Sequence, residues 1–305
     1  MSVIGFDTSN YTTSIAFFDG QEGVNCSRLL PVKEGELGLR QSDAVFHHTK
    51  SLPELSGRLF SHVRGNIEAV GVSTRPRAVE GSYMPCFMVG YSHAKLLSDA
   101  FGVPLFEVSH QQGHVAASLW SAGRLDLMDK PHLAWHLSGG TTELLLVEPE
   151  GKNVKCTRIG GTTDISAGQL IDRTGVMLGL PFPAGKHLDA LSKEAVGREV
   201  FRVKCPGMEF SLSGVQNKVQ AFHKGDSAET AAYALRCVAY AVRKATENAL
   251  KAYPGMEVVF SGGVASNSML RQLTEDLQPV FCEPQYSTDN AMGVAVLTQR
   301  LMEGC

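Results

Sequence analysis

The sequence predicts an α/β protein built from two related halves, because one pattern of apolar and polar residues occurs twice. Near the start, apolar residues 3–6 lead into a polar run at 7–13 and then into apolar residues 14–18. Residues 133–147 repeat this scheme around a Ser-Gly-Gly-Thr-Thr tip. Each copy is typical of a β-hairpin, and such a tip can bring backbone N–H groups close to a phosphate. We therefore expect a duplicated fold with a ligand between two lobes.

A third element indicates a ligand site at the end of a strand. Apolar residues 258–260 run into Ser-Gly-Gly at 261–263, and Asn267 and Ser268 can cap a helix that starts at Met269. The carboxyl ends of strands are where α/β sheets bind their ligands.

Two stretches are predicted to be helices, residues 89–101 and about 228–253. The second helix carries one apolar face, which indicates packing in the core. That face consists of Leu235, Val238, Ala239, Val242 and Ala245.

Two histidines, His110 and His114, directly follow an apolar run at 103–108. On a helix they stand on one face, close enough to share a metal ion. A zinc protease of the His-Glu-x-x-His type needs a glutamate as general base beside the first histidine, and Gln111 occupies that place. Glutamine cannot take a proton, so the pattern disfavours hydrolysis. The spacing alone leaves two interpretations open, a metal-binding pair and two histidines at the start of a helix.

The composition is that of an ordinary globular protein of 305 residues, 43% hydrophobic and 19% charged. Lys and Arg number 28 against 31 Asp and Glu, which gives a net charge of −3. Because dedicated nucleic-acid binders carry a basic excess, any RNA contact is expected to be local or shared with a partner protein.

The cysteines indicate a reducing compartment. They number seven, are scattered, and include no Cys-x-x-Cys pair, so we expect reduced thiols in a cytoplasmic protein. The chain also lacks a signal-peptide pattern and any apolar run of about 18 residues, so no association with a membrane is expected.

Seven short motifs stand in the order and spacing typical of one family. The chain resembles, along nearly its whole length, the tRNA N6-adenosine threonylcarbamoyltransferase family, also called the glycoprotease or peptidase M22 family. The motifs are Asp7-Thr8-Ser9, His110 with His114, residues 138–142, residues 164–172 leading into 178–185, residues 210–214, residues 261–264 with Asn267, and residues 288–290.

The resemblance implies a two-lobed α/β fold of the actin, sugar-kinase and Hsp70-like type, with duplicated ribonuclease-H-like domains. It implies an N-terminal lobe at 1–107, joined by a C-terminal helix at about 291–305. Residues 108–290 would form the C-terminal lobe, with the metal and nucleotide site at the interface of the two lobes.

The resemblance also implies a set of site residues. His110, His114 and Asp289 match the ligands of one divalent metal ion, iron or zinc. The loop around the phosphate and carbamoyl groups of the substrate matches Ser138, Gly139 and Gly140. Groups that hold an adenylate or ATP-type nucleotide match Asp172, Gly185 and Asp189, with Asn267 on the adenine side. No residue is assigned as catalytic.

His136 stands two residues before the Ser-Gly-Gly turn, where archaeal and eukaryotic members carry a tyrosine that approaches the metal. We expect His136 to be a possible further imidazole ligand. The alternative is a satisfied buried histidine at the end of a strand.

The chain departs from the family in the groups around the chemistry. Asn10, Tyr11 and Thr12 replace a cysteine and an acidic pair, and a tyrosine or a threonine is a poor base at neutral pH. Thr141 stands where bacterial members often have histidine, and Gln169 replaces a glutamate. These changes are typical of a divergent bacterial paralogue in which charged groups have become neutral.

The resemblance implies transfer of the threonylcarbamoyl group from threonylcarbamoyl-AMP to the N6 amine of adenosine 37, in tRNAs that read ANN codons. The departures favour an alternative, a catalytically weakened nucleotide- and metal-binding paralogue that regulates or scaffolds a transferase complex. The implied partners are tRNA, bound through a complex, and accessory threonylcarbamoylation subunits, with a possible dimer with a paralogue. Gln111 disfavours a protease, and Tyr11 with Thr12 disfavours a sugar kinase.

Overall fold

The computed structural model describes residues 1–31 and 39–304, and the described residues form eleven strands in two sheets. The first sheet has the order β3-β2-β1-β4-β5, and the second has the order β11-β10-β6-β7-β8-β9. The strands are β1 Ser2–Thr8, β2 Thr12–Phe18, β3 Gly23–Leu29, β4 Ile67–Arg75, β5 Leu105–Ser109, β6 His132–Leu137, β7 Thr142–Glu150, β8 Asn153–Thr162, β9 Glu209–Phe210, β10 Val258–Ser261 and β11 Val280–Phe281.

The α-helices lie between and after these strands. They are α1 Gln41–Phe60, α2 Phe87–Phe101, α3 His110–Ser121, α4 Ala167–Met177, α5 Gly185–Ser192, α6 Ser213–Phe222, α7 Ser227–Ala252, α8 Ser268–Thr274 and α9 Met292–Met302. Short 3-10 helices lie at Leu125–Asp129, Gly263–Ser266, Glu275–Leu277 and Pro284–Tyr286. The two helices predicted at 89–101 and 228–253 are therefore confirmed as α2 and α7.

The two sheets repeat one pattern of connections. In the first sheet, β1 pairs antiparallel with β2 and parallel with β4, which pairs parallel with β5. In the second sheet, β6 pairs antiparallel with β7 and parallel with β10, which pairs parallel with β11. Both predicted hairpins and the duplicated α/β fold are thus confirmed.

By their internal contacts the residues divide into two compact units. The first unit comprises Met1–Lys130, Glu148–Cys156 and Asp289–Cys305, and the second comprises Pro131–Val147 and Thr157–Thr288. The first unit runs to Lys130 and includes α3, which packs against α9. The lobes expected at 1–107 with 291–305, and at 108–290, stay a prediction.

Glycines allow helix α9 to lie directly on the first sheet. A Cβ added at Gly5 of β1 would lie 2.6 Å from the backbone nitrogen of Ala295, and one at Gly71 of β4 would collide with the Thr298 side chain. This close packing fixes the position of α9 within the first unit.

The core of the second unit surrounds Trp135, which is fully buried in β6. Its indole N–H donates to the hydroxyl of Thr246 in α7 at 2.8 Å, and its ring lies near Phe210 and Phe260. The apolar face predicted for α7 is buried, as expected: Val238, Ala239, Val242 and Ala245 lie in this core, and Leu235 lies in a neighbouring cluster with Ile171 and Leu188.

Two further features of the described residues are the state of the cysteines and the hydropathy of the helices. Six cysteines are described and all are free thiols. Within residues 1–31 and 39–304, no helix combines the length and the hydropathy needed to cross a bilayer.

Candidate metal centre and nucleotide-binding loops

The start of helix α3 positions two histidines. The Ser109 side chain accepts a hydrogen bond from the backbone N–H of Gln112, and the Gln112 side chain accepts one from the backbone N–H of Ser109 at 2.8 Å. This capping box fixes the first turn of the helix. His110 and His114 then lie one turn apart on one face, with their Nε2 atoms 2.9 Å from each other.

A third ligand group comes from the far end of the chain. Asp289 lies just before α9, and its Oδ1 is 3.2 Å from His114 Nε2 and 3.5 Å from His110 Nε2. The two helices meet at glycines, because a Cβ at Gly293 would collide with the carbonyl oxygen of Gly113. The absence of that Cβ lets α9 bring Asp289 to the histidines.

The three groups fit a metal ion. Their ligand atoms all lie within 4.8 Å of one another. Ligand atoms around a tetrahedral zinc ion, at about 2.0–2.2 Å from the metal, are roughly 3.3 Å apart, close to the three separations found here. Two imidazoles and one carboxylate are donors that suit zinc and ferrous iron alike.

Asp7 stands behind His110, and the sequence predicted no role for it. It is fully buried at the end of β1, and its two carboxylate oxygens lie 3.0 and 3.1 Å from His110 Nδ1. Since a carboxylate can only accept, Nδ1 carries the hydrogen and Nε2 is left facing His114 and Asp289. The Ser73 hydroxyl also donates to Asp7. The signal available in the sequence was a carboxylate placed directly after the apolar residues 3–6.

Hydrogen bonds hold the other carboxylate as well. The hydroxyl of Ser9, at the tip of the β1–β2 hairpin, donates to Asp289 Oδ2 at 3.0 Å. Asp289 Oδ1 is thereby left on the side of the histidines. The first hairpin therefore supports the cluster through both Asp7 and Ser9.

Ionisable side chains are concentrated at this cluster, and they shift one another's pKa values. Burial disfavours a charged imidazole, yet the carboxylates of Asp7 and Asp289 outweigh it and raise the pKa of His110 to about 10. Burial likewise opposes ionisation of Asp289, but hydrogen bonds from His110 and His114 hold its pKa well below the usual range. Two carboxylates around two imidazoles favour a cation at this point, and a divalent metal ion can replace the proton.

The hairpin tip that departs from the family carries no carboxylate. Asn10 uses its side-chain oxygen to accept from Gln41 at 2.6 Å. Tyr11 is 40% exposed, and Thr12 is buried at the start of β2. Neither an acid nor a ready base is therefore offered at residues 10–12.

The Ser-Gly-Gly turn of the second unit is closed by its own hydrogen bonds. The Ser138 N–H donates to the Thr141 carbonyl at 2.8 Å, and the Thr141 N–H donates to the Ser138 hydroxyl at 3.1 Å. A Cβ added at Gly139 or Gly140 would meet nothing within 4 Å, so open space adjoins both glycines.

Helix α4 begins against this turn. The Ser166 hydroxyl donates to the Gly139 carbonyl at 2.6 Å, and a Cβ at Gly168 would lie 2.5 Å from Gly139 Cα. The N-terminus of a helix favours anions, so the turn and α4 together suit a phosphate. Gln169 forms a capping box with Ser166, a role that a glutamate fills equally well, so replacing the acid leaves the helix start intact.

The two aspartates among the remaining predicted nucleotide residues each accept a hydrogen bond. Asp172 accepts from the backbone N–H of Ala184 at 2.8 Å, directly before Gly185 at the start of α5, and burial raises the pKa of Asp172. Asp189 Oδ1 accepts from the Asn267 side chain at 2.8 Å. Asn267 also caps α8, as predicted.

His136 lies half-buried in β6 of the second unit, paired in register with Glu143 and Ser261. The metal ligands His110, His114 and Asp289 belong to the first unit. A role for His136 as a further ligand stays a prediction.

Comparison with known proteins finds one family, and the two relatives described here carry its name. The sequence profile of the family described as tRNA N6-adenosine threonylcarbamoyltransferase matches residues 38–296. A protein of that name from Carboxydothermus hydrogenoformans is 34% identical, with 76% of this chain and 70% of the relative covered. Another, from a Sulfurihydrogenibium species, is 32% identical, with 97% of this chain and 89% of the relative covered.

Solved structures extend the likeness at the level of the fold. Full-length HypF in its phosphate- and nucleotide-bound form superimposes with a TM-score of 0.62 at 16% identity, over 99% of this chain and 46% of HypF. A ROK-family glucokinase from Streptomyces griseus, in complex with glucose and AMPPNP, gives 0.56 at 11% identity, over 98% of this chain and 100% of the glucokinase. Likenesses at such identity concern the fold alone, and they confirm the predicted actin and sugar-kinase type.

Proposed function

Because this chain belongs to the tRNA N6-adenosine threonylcarbamoyltransferase family, we propose that it transfers a threonylcarbamoyl group from threonylcarbamoyl-AMP to the N6 amine of adenosine 37 in tRNA. The observation that carries this proposal is the cluster of His110, His114 and Asp289, held from behind by Asp7. Two imidazoles and a carboxylate are a ligand set that leaves positions open for a substrate oxygen, and the cluster lacks the glutamate base of a zinc protease.

His110, His114 and Asp289 would hold the divalent metal ion, iron or zinc, and Asp7 would orient His110. The chemistry that such an ion supplies is polarisation of an acyl or phosphoryl oxygen. His136 would be a fourth protein ligand in this proposal. An anomalous-scattering map that puts the metal more than about 4 Å from the His136 nitrogens, where a bond is near 2 Å, contradicts that ligand role.

The second unit would bind the AMP part of the donor. The turn at 138–140, beside the start of α4, would receive the phosphate, as the open space and the helix N-terminus favour. Asp172 and Asp189 each accept bonds through Oδ1, and their Oδ2 atoms would accept from ribose hydroxyls. Gly185 lets the ribose approach the start of α5, and Asn267 would lie on the adenine side.

The transfer forms one bond and breaks one. The N6 nitrogen of the adenosine bonds to the carbamoyl carbon, the bond from that carbon to the phosphate oxygen breaks, and AMP leaves. The amine loses one proton in this step. Because residues 10–12 offer no carboxylate, we assign no protein base, and the proton passes to the departing phosphate or to water. Accessory threonylcarbamoylation subunits would help to bind tRNA, and a dimer with a paralogue belongs to the same proposal.

In the test, the purified protein is supplied with threonylcarbamoyl-AMP, an unmodified tRNA and candidate partner subunits. The RNA is then digested and the nucleosides are identified by mass spectrometry. We expect threonylcarbamoyl-adenosine from the unaltered chain and none above background from His114→Ala. Exposed Asp126→Asn, a carboxylate change elsewhere in the first unit, serves as the control that retains activity. Absence of the modified nucleoside with every partner set contradicts the proposed transfer.

The hairpin tip favours a second candidate function. With Asn10, Tyr11 and Thr12 in place of a cysteine and an acidic pair, the chain can instead be a nucleotide- and metal-binding subunit that regulates or scaffolds a transferase complex. AMP binding seen by calorimetry, together with no transfer in the assay above, is the outcome that selects this function.

A further inference from the structure

A cleft in the second unit is lined by basic side chains that the proposed transfer does not use. It has a volume of about 470 Å³ and lies between residues 202–205 and helix α7. Four cations line it, Arg202, Lys204, Arg243 and Lys244, against one carboxylate, Glu247. The whole chain, in contrast, carries a net charge of −3. The positive charge is therefore concentrated locally.

One of the four cations is structural. The Arg243 guanidinium donates to Glu247 at 2.9 Å and to both carboxylate oxygens of Asp276, at 2.5 and 2.8 Å. It also donates to the backbone carbonyl of Leu273. Arg243 thus fastens α7 to residues 273–276, and its charge is balanced by its own partners.

The other three cations are exposed at the cleft. Arg202 lies over the half-buried ring of Tyr240, with its guanidinium carbon 5.7 Å from the ring centroid. An arginine stacked in this way keeps its N–H donors directed outward in a fixed fork. Among the residues that the structure describes, neither Arg202 nor Lys204 forms an ion pair. Lys244 stands 3.5 Å from Glu247, which already accepts from Arg243.

We propose that this cleft binds the phosphate backbone of the RNA acceptor. Backbone phosphates are held by exposed Lys and Arg spread along a groove, and they position an RNA without reading its sequence. Here the three cations come from two separate segments and converge on no buried donor, which suits successive phosphates better than one small anion. This inference rests on the proposed function insofar as that function takes RNA as its acceptor.

The local charge also explains how a chain of net negative charge can bind a polyanion. Because the whole chain has no excess of positive charge, a local group of cations would determine where the backbone lies. Arg202 contributes planar, fork-shaped recognition of a phosphate, whereas Lys204 and Lys244 contribute point charges.

The test compares two triple variants, each of which removes three positive charges. The cleft variant is Arg202→Gln, Lys204→Gln and Lys244→Gln, and the control replaces three exposed cations of the first unit, Lys50→Gln, Arg58→Gln and Lys155→Gln. Binding of an unmodified transcript of a tRNA that reads ANN codons is followed by fluorescence anisotropy at several salt concentrations.

We expect the cleft variant to bind the transcript roughly tenfold or more weakly at 0.1 M salt, and its slope of log affinity against log salt to fall by about 2–3. The control should keep the affinity and slope of the unaltered chain. A charge-retaining variant, Arg202→Lys, Lys204→Arg and Lys244→Arg, should restore the salt slope, which separates lost charge from damaged folding. In the transfer assay the cleft variant should raise KM for tRNA and leave kcat unchanged.

Two results overturn the inference. One is equal loss of affinity in the cleft and control variants, and the other is no binding of the transcript by the unaltered chain. The proposed function fails separately, when the unaltered chain with its partners makes no modified adenosine even though the cleft variant has lost RNA affinity. If transfer occurs and the cleft variant binds tRNA normally, the inference fails and the proposed function stands.

Discussion

Asp7 lies behind the ligand atoms, where it determines which nitrogen of His110 can bind a metal ion. Its oxygens accept from Nδ1, so Nε2 is the nitrogen available to a metal ion. Burial opposes a charged imidazole, but Asp7 together with Asp289 outweighs it and raises the pKa of His110 to about 10. Asp7 therefore orients the ligand and also contributes to the cost of exchanging the proton of His110 for a metal.

Asp7→Asn tests this orienting role. An amide can present its NH₂ group to Nδ1 and reverse the tautomer, so we expect metal affinity to fall about 10- to 100-fold while the fold persists. Affinity is measured by competition with a chromophoric chelator, and the absorption bands of bound Co²⁺ report the coordination directly.

The matched control is Asp126→Asn, which removes a carboxylate from a surface pair with Arg124 in the same unit. It should leave both the affinity and the Co²⁺ spectrum unchanged. An Asp7→Asn protein with undiminished metal affinity and an unaltered Co²⁺ spectrum contradicts the orienting role.

At the scale of elements, the approach of α3 to α9 positions the ligands. The contact is asymmetric: a Cβ at Gly293 would collide with the carbonyl of Gly113. One at Gly113 would instead lie 3.3 Å from a methyl group of Val294 and, at ordinary contact distance, 3.7 Å from its backbone nitrogen. Backbone cannot yield as a side chain can, so the two glycines differ in what they tolerate.

Gly293→Ala should push α9 away from α3 and carry Asp289 from the histidines. We expect a loss of about 1–3 kcal/mol in the free energy of unfolding and at least about a tenfold loss of metal affinity. Urea unfolding of the metal-free protein and chelator competition measure the two effects.

Gly113→Ala is the comparison for that variant, because it adds the same methyl group on the opposite helix. It should cost less than about 1 kcal/mol and keep the metal. Equal behaviour of the two variants would show that the Gly113–Gly293 approach does not set the cluster.

The elements that the sequence predicted are those specified by neighbouring residues. Hairpin patterning, the apolar face of α7 and the Asn267 cap are local signals, and each is confirmed. The Asp7–His110 contact joins residues 103 apart, so no local pattern could reveal it.

A neutral residue at Gln169 suggests a lost charge, although its place three residues after Ser166 is the spacing of a capping box. The sequence did not predict the basic cleft, because the net charge is a sum over all 305 residues and does not show where the charges lie.

At the scale of the whole molecule, a metal ion would favour the folded state. His114 and Asp289 are 175 residues apart, so the unfolded chain does not hold the ligands together. A ligand that binds only the folded state at 100 times its Kd adds about 2.7 kcal/mol to the free energy of unfolding.

Removal of the metal should therefore lower the melting temperature of the first unit by roughly 5–10 °C. Calorimetry of the loaded protein before and after chelation measures this shift. His114→Ala supplies the control, since its melting temperature should not respond to the chelator. A chelator shift of the same size in His114→Ala would place the responsible metal somewhere else.

The position of α9 also has a consequence for synthesis on the ribosome. At about 5–20 residues per second, Asp289 is added roughly 9–35 s after His114. During that interval Gly5 and Gly71 have no helix over them, and the nascent first sheet keeps an apolar face uncovered. The first unit is begun early and completed late, so the sheet that supports the metal centre is the part of the nascent chain that stays open to aggregation longest.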